Sequence, residues 1–361
     1  MTDQPRAPGG SAPPPSAGRH AGAAAGIQGA LAQAYIEMVR LHRAGDLEQA
    51  RVIGSMVQTQ LGGLIERTYR DAVAHAAAGH AVAAFAGFAE ALELHRLNLA
   101  NLALPVGVAA CYEGLAALYQ AQRQTLGAAA AARLAHRDGA SFYAHPRACQ
   151  VPVLGGLYEI IFGECRDGTF VEVGAYDGET YSNTSCLADL GWRGLYIEPI
   201  AASCERCRQR HAANPHTSVL QCAIGAEDGT ATVWQNGPCS TLSDDEHALN
   251  LREGVILDTE IQRVEVPLRR LDGVLAEAGI APGFELLVVD VDGSEEAVFA
   301  GLDLARWRPR FLLVELVEES PHFAEAPGLI AAARRVREHI ERAGYGEIYR
   351  DAANTIFRAP A

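Results

Sequence analysis

Two hydrophobic rhythms divide the chain. From Ile27 to about Gln124, apolar side chains recur at helical spacing among good helix formers, as in Leu31, Tyr35, Met38, Val39 and Leu41, which predicts an all-helical region. Farther on the rhythm changes to short runs that are apolar throughout: Thr169 to Val173, Gly194 to Ile197, Ser218 to Gly225, Glu285 to Asp290 and Arg310 to Glu315. Such runs predict strands buried on both faces of a parallel sheet. Helical stretches at 201–212, 271–278 and 328–343 alternate with them, so helices should cover both faces. Tyr158, Ile160, Ile161 and Phe162 predict one more covering helix ahead of the Thr169 strand. Thr230 to Trp234 and Arg263 to Leu268 add two strands around a loop of small and acidic residues, Asn236 to Glu246, which is either a lid over a cleft or a disordered segment. Asn354 to Phe357 supplies the last strand. The expected fold class is α/β, a Rossmann-like sheet preceded by an all-α domain.

The boundaries follow from the same pattern. Residues 1–25 are rich in Pro, Gly and Ala without periodicity, which predicts a disordered tail. The helical domain is placed at 26–145, ending near Ser141 to Pro146, where a proline breaks the pattern, and the sheet domain at 150–358. Within the helical part, Ala44 to Ala50 is echoed by Ala78 to Ala84, and Gly45 to Gly79 spans about 34 residues, the tetratricopeptide period. Two helical hairpins with glycine turns would result, Phe88 and Ala91 packing in the second. An Ala-rich bundle without repeats accounts for the same residues. Either form suits a protein partner or self-association rather than chemistry.

With 361 residues and 49% apolar side chains, the chain has room for two cored domains. A net charge of −14 argues against nucleic acid and against anionic membrane surfaces, leaving a small substrate as the expectation. No apolar run reaches the roughly eighteen residues needed to cross a bilayer. Arg6, Arg19 and His20 interrupt the start where a secretory segment would need an apolar stretch, so the eight cysteines are expected as reduced thiols in a cytoplasmic protein. Cys204 and Cys207 form a C-x-x-C with no second pair at finger-like spacing, and no metal site is expected there.

The candidate chemistry lies where the Thr169 strand ends. Gly174 and Gly178 leave space for a ligand against the backbone. Ser182, Asn183 and Thr184 open the following helix, and Glu198 ends the next strand, positioned to accept hydrogen bonds from a ribose diol. Glu172 would repel a pyrophosphate but suit an ammonium-bearing ligand such as the methionine part of S-adenosylmethionine. The spacing G-x-x-x-G, with Tyr176 where G-x-G-x-x-G needs its middle glycine, disfavours a nicotinamide dinucleotide. Four acids fall at strand ends: Glu172, Glu198, Asp290 and Glu315. The first two are expected to face the cofactor, and the others the acceptor. Asp290 and Asp292 could instead cap the helix that begins near Glu295.

Three segments carry a family resemblance: Val171-Glu172-Val173-Gly174-Ala175-Tyr176-Asp177-Gly178 with Ser182-Asn183-Thr184; Leu190-Gly191-Trp192-Arg193-Gly194-Leu195-Tyr196-Ile197-Glu198-Pro199; and Leu287-Val288-Val289-Asp290-Val291-Asp292-Gly293-Ser294-Glu295. In this order, over roughly residues 150 to 358, the chain resembles the FkbM-type methyltransferases. Asp292 departs from the family's usual Glu. The resemblance implies a class I methyltransferase sheet with an antiparallel last strand, S-adenosylmethionine as cofactor, and O-methylation of a sugar, glycan, lipid-linked or natural-product hydroxyl. With the strand-end reading it designates Glu172, Gly174, Ala175, Asp177, Gly178, Asn183, Glu198, Pro199, Cys222 and Ala223 for the cofactor. Asp290, Glu315 and His322 are designated for catalysis, Asp290 or His322 as base. Asp290, Asp292 and Glu295 offer oxygen ligands of the kind Mg²⁺ takes, but their spacing does not demand a metal. An NAD-dependent or nucleotide-sugar oxidoreductase on the same sheet, and a noncatalytic helical scaffold, are the alternative readings.

Overall fold

The computed structural model describes residues 33–360 except 35, 39, 99–102, 137–140, 145–148, 253–260, 321 and 322. The expected tail and the residues at the domain boundary, including Pro146, lie outside the described residues, as does His322.

The amino-terminal part is a bundle built on one 31-residue helix, Leu47–Ala77, followed by Ala81–Arg96, Val108–Ala121 and Thr125–His136. Gly45 and Gly79 both adopt positive φ, at 81° and 76°, and close similar turns. Between them the chain does not double back into a tetratricopeptide hairpin, because Gly62 and Gly63 are helical. A Cβ on Gly62 would meet the Pro105 ring at 2.9 Å, so this glycine serves close packing rather than a turn. The plain bundle is the form found, with Phe88 and Ala91 buried in it.

The sheet has seven strands: β1 (Thr169–Val173), β2 (Arg193–Glu198), β3 (Thr217–Gln221), β7 (Leu286–Val289), β8 (Phe311–Glu315), β9 (Gly346–Arg350) and β10 (Asn354–Arg358). They are ordered β3-β2-β1-β7-β8-β10-β9, parallel from β3 to β8, with β10 antiparallel to both neighbours. The expected single strand from Ser218 to Gly225 breaks at Cys222. Beyond it β4 (Ala223–Ile224) leaves the half-exposed sheet edge and joins β6 (Gln262–Arg269) and β5 (Gly229–Gln235) in a small second sheet.

Both faces of the large sheet are covered, as its apolar runs require. On one face Val171, Leu287, Val289 and Val314 pack under the helices Leu271–Glu277, Glu295–Ala300 and Pro327–Arg342. On the other, Phe170, Val288, Leu313 and Ile356 share one continuous core with Leu157 and Tyr158 of the helix Leu154–Phe162 and with Phe85, Phe88, Leu115 and Tyr119 of the bundle. A buried hydrogen bond of 2.6 Å between the hydroxyls of Tyr119 and Tyr349 ties bundle to sheet. Among the described residues, no helix is long and apolar enough to cross a membrane.

Candidate functional site

Chain connections diverge between β1 and β7, one leading to β2 and the other to β8, and a crevice opens there at the strands' carboxyl ends. Gly174, at φ 92°, carries the chain out of β1 so close to β7 that a Cβ would lie 1.6 Å from the Asp290 carbonyl oxygen. Glycine is required there because two backbones touch. The crevice is lined by Gly174 and Tyr176 after β1, Glu198 and Pro199 after β2, Cys222 and Ala223 at the β3–β4 break, and Asp290 and Asp292 after β7. Its outer wall is the strap Asn236 to Glu246: Gly237, Pro238, Ser240 and Leu242 face inward, which is where the expected lid would lie. The Thr241 hydroxyl donates to the Asp292 carbonyl at 2.6 Å, holding strap to floor. The remaining cavity measures about 50 Å³.

Glu198 is 5% exposed, and each of its carboxylate oxygens accepts one backbone N–H, from Tyr176 at 2.9 Å and from Ile200 at 2.8 Å. A carboxylate offers about four lone-pair sites, so each oxygen keeps capacity for one more donor. Burial pushes its pKa up to about 7, against the lowering effect of those two N–H groups. Tyr176 and Asp292 face the crevice with left-handed backbones, φ 46° and 49°. For residues with a Cβ this is strained, of order 1–3 kcal/mol each, and such strain gathers at functional sites.

Several designated residues do other work. Glu172 is turned away from the crevice. Its carboxylate accepts from the Ser182 hydroxyl at 2.9 Å, the Asn183 N–H at 3.0 Å and the Thr184 hydroxyl at 2.7 Å, so it organises the loop beneath the helix Ser185–Asp189. The expectation that it faces an ammonium group is corrected: the polar loop meant for the ligand satisfies this buried acid instead. Gly178 is likewise a packing position, since a Cβ there would meet Cys207 Sγ at 2.7 Å and His211 Nε2 at 2.8 Å. Asp177 shapes its own turn by accepting from the Glu179 and Thr180 N–H groups. Ala175 is buried in the core on the bundle side, and the Asn183 side chain accepts from Cys149, neither of them lining the crevice. Cys204 and Cys207 are buried in the helix Ala201–Arg210, where burial raises both thiols, Cys204 to about 11.

Acids crowd the floor. Asp290, just past the end of β7, and Glu315, at the end of the adjacent β8, are neighbouring buried carboxyls whose titrations are tied together. Burial raises both, Asp290 to about 6 and Glu315 well above its ordinary range. Glu295, raised to about 7 by burial, accepts from the N–H groups of Val291 and Gly293 and thereby fixes the loop. The helix Glu295–Ala300 has Ser294 at its N-cap and no side-chain cap, so neither Asp290 nor Asp292 does the capping considered for them, and both line the crevice. Glu246, 3% exposed and also raised to about 7 by burial, reaches the same floor from the helix Asp244–Arg252. Sequence reasoning passed over Glu246, although it stands in the acidic stretch marked as a lid. Among the described residues, no group of His, Cys, Asp and Glu is arranged to hold a metal ion.

The strand order, the reversed β10 and the crevice at the β1–β7 divergence define a Rossmann-like class I methyltransferase fold. Residues 172–346 match the methyltransferase FkbM domain. No curated protein matches. Among solved structures, the chain is similar to the O-methyltransferase TomG from Streptomyces achromogenes, in complex with SAM, at 16% identity and TM-score 0.34, over 59% of this chain and 82% of that one. It is also similar to the Bacillus cereus O-methyltransferase in complex with SAH, at 14% identity and TM-score 0.37, over 76% and 100%. For the CurJ carbon methyltransferase the figures are 12% and 0.32, over 93% and 99%.

Proposed function

We propose that the chain is an S-adenosylmethionine-dependent O-methyltransferase acting on a hydroxyl of a sugar, glycan, lipid-linked or natural-product acceptor. The observation that carries the donor assignment is the charge of the crevice: its charged lining residues, Glu198, Asp290 and Asp292, are all acids. A diphosphate would be repelled on every side, whereas a sulfonium nucleoside finds complementary charge. Glu198, with one acceptor site open on each oxygen, suits the ribose diol, and Cys222, Ala223, Ile224 and Leu242 give an apolar bed for the adenine. When bound, S-adenosylmethionine supplies an electrophilic methyl group on a sulfonium leaving group.

The chain's own task is then positioning and proton removal. Asp290, at the crevice beside Glu315, is the base for the acceptor hydroxyl: the proton passes to the Asp290 carboxylate as the oxygen gains its methyl, a contribution of about a hundredfold. The preference for oxygen and for this acceptor class rests on likeness to FkbM-type enzymes. The helical region 26–145 is proposed to recruit a partner or to self-associate. Calorimetry with S-adenosylhomocysteine against NAD tests the donor; preferential binding of NAD refutes it.

A further inference from the structure

Glu246 packs against the loop after β7, which carries the crevice residues Asp290 and Asp292, from the element that follows the strap. Its Cβ and one carboxyl oxygen, Oε2, lie 3.3 Å from where a Cβ on Gly293 would stand, beside Leu329 at 3.0 Å, so the helix Asp244–Arg252 sits tightly on this loop. The other oxygen accepts from Asn250 Nδ2 at 3.4 Å. Thr241 binds the same loop through the Asp292 carbonyl and is locked to Trp234 by two backbone hydrogen bonds, of 2.9 and 3.1 Å. Strap and Glu246 therefore come down on the floor together.

Closure has an electrostatic consequence. The charged groups that Glu246 acts on across the loop after β7 are Asp290, Asp292 and Glu315, all acids. Arg252, on its own helix, pairs outward with Glu325. Arg206 lies across the crevice over the Tyr176 ring, on the Glu198 side. Bringing Glu246 down thus sets like charges together where water is scarce; burial first, and like charge after it, raise the carboxyls of Glu246 and Asp292. The present cavity of about 50 Å³ is far below the roughly 300–1,000 Å³ of small-molecule sites. A nucleoside enters only with the strap lifted, and the strap returns only if the bound molecule offsets the repulsion.

We propose that Glu246 is a specificity-determining residue that makes the strap close on a positively charged methyl donor and loosen on its neutral thioether product. The proposal rests on the donor reading above. A bound donor's sulfonium would offset part of the charge of the acids around Glu246, and a neutral thioether product would not, so repulsion between Glu246 and these acids would favour opening after transfer.

The test compares equilibrium binding of two probes at about pH 8, above the value of about 7 to which Glu246 is raised: S-adenosylhomocysteine, neutral at sulfur, and sinefungin, which carries a protonated amine near that position. The wild type should prefer sinefungin. Glu246→Gln should reduce that preference by about fivefold, weakening sinefungin and tightening S-adenosylhomocysteine. Glu246→Asp, which keeps the charge, should restore it, a rescue that a purely packing role would not produce. An unchanged preference in a folded Glu246→Gln protein overturns the proposal while leaving the donor reading intact. Wild-type protein that binds neither probe overturns both.

Discussion

Glu172→Ala separates a residue that builds the site from one that touches the ligand. The side chain is 3% exposed, and its three donors belong to Ser182, Asn183 and Thr184, at 3%, 0% and 0%. Removing the acceptor strands all three where water has little access, at about 1–3 kcal/mol per buried unsatisfied group. Some relief comes from a water entering the space left behind, so a net loss of about 3–5 kcal/mol is expected. For a chain of this length, with an unfolding entropy of about 0.8 kcal/mol/K, the melting midpoint falls by about 4–6 °C. Glu172→Gln retains an acceptor and the shape, and should lose less than half as much. Scanning calorimetry measures both variants, and S-adenosylhomocysteine titration measures affinity in whatever remains folded, expected to stay within about threefold of wild type. A Glu172→Ala protein that melts with the wild type yet fails to bind S-adenosylhomocysteine would refute this assignment and return Glu172 to the ligand.

Three further outcomes are expected. Glu172, Glu198, Glu246 and Glu295 are raised to about 7 and Asp290 to about 6. The folded state therefore binds more protons than the unfolded one above the ordinary carboxyl range, and stability is lost as pH rises through about 5 to 8; ligand-free protein should melt several degrees higher near pH 5.5 than near pH 8, and the opposite slope in a pH series of melting curves would contradict the burial of these acids. Gly178→Ala forces a Cβ to within 2.7 Å of Cys207 Sγ at φ 73°, which should cost about 2–4 kcal/mol in denaturant unfolding while leaving S-adenosylhomocysteine affinity nearly unchanged at low temperature. Asp290→Asn removes the proposed base and should lower kcat by about a hundredfold with labelled methyl donor and a responsive hydroxyl acceptor, with donor affinity changing far less.

The sheet was legible because fully buried parallel strands must be apolar along their whole length. Glu285 to Asp290 and Arg310 to Glu315 could hardly be anything else, and they became β7 and β8. The edge was harder: Ser218 to Gly225 reads as one run, and only the pairing of Gly225 with Arg269 shows why the chain leaves the sheet at Cys222. In the helical part, Gly62 and Gly63 carry the local signature of a turn, yet Pro105 presses against the first, a long-range contact that no local pattern encodes. The site divided along similar lines. Gly174, Glu198, Pro199, Cys222, Ala223 and Asp290 follow from strand ends alone and do meet in the crevice. Glu172 stands one side-chain alternation away from the crevice-lining Val173, and the direction of its carboxylate depends on hydroxyls ten and twelve residues ahead. Topology was predictable; the hydrogen-bond partner of a buried acid was not.

The Tyr119–Tyr349 contact and the core continuous around it bear on how this protein can be taken apart. Excising the first 150 residues would strip the cover from Leu157, Tyr158, Leu313 and Ile356 and leave a wide greasy surface in water. The isolated catalytic half should aggregate, and grafting the bundle onto another enzyme should fail for the same reason. A partner recruited by the bundle, as proposed above, would have to dock on its outer side, because its inner side is already covered by the sheet domain.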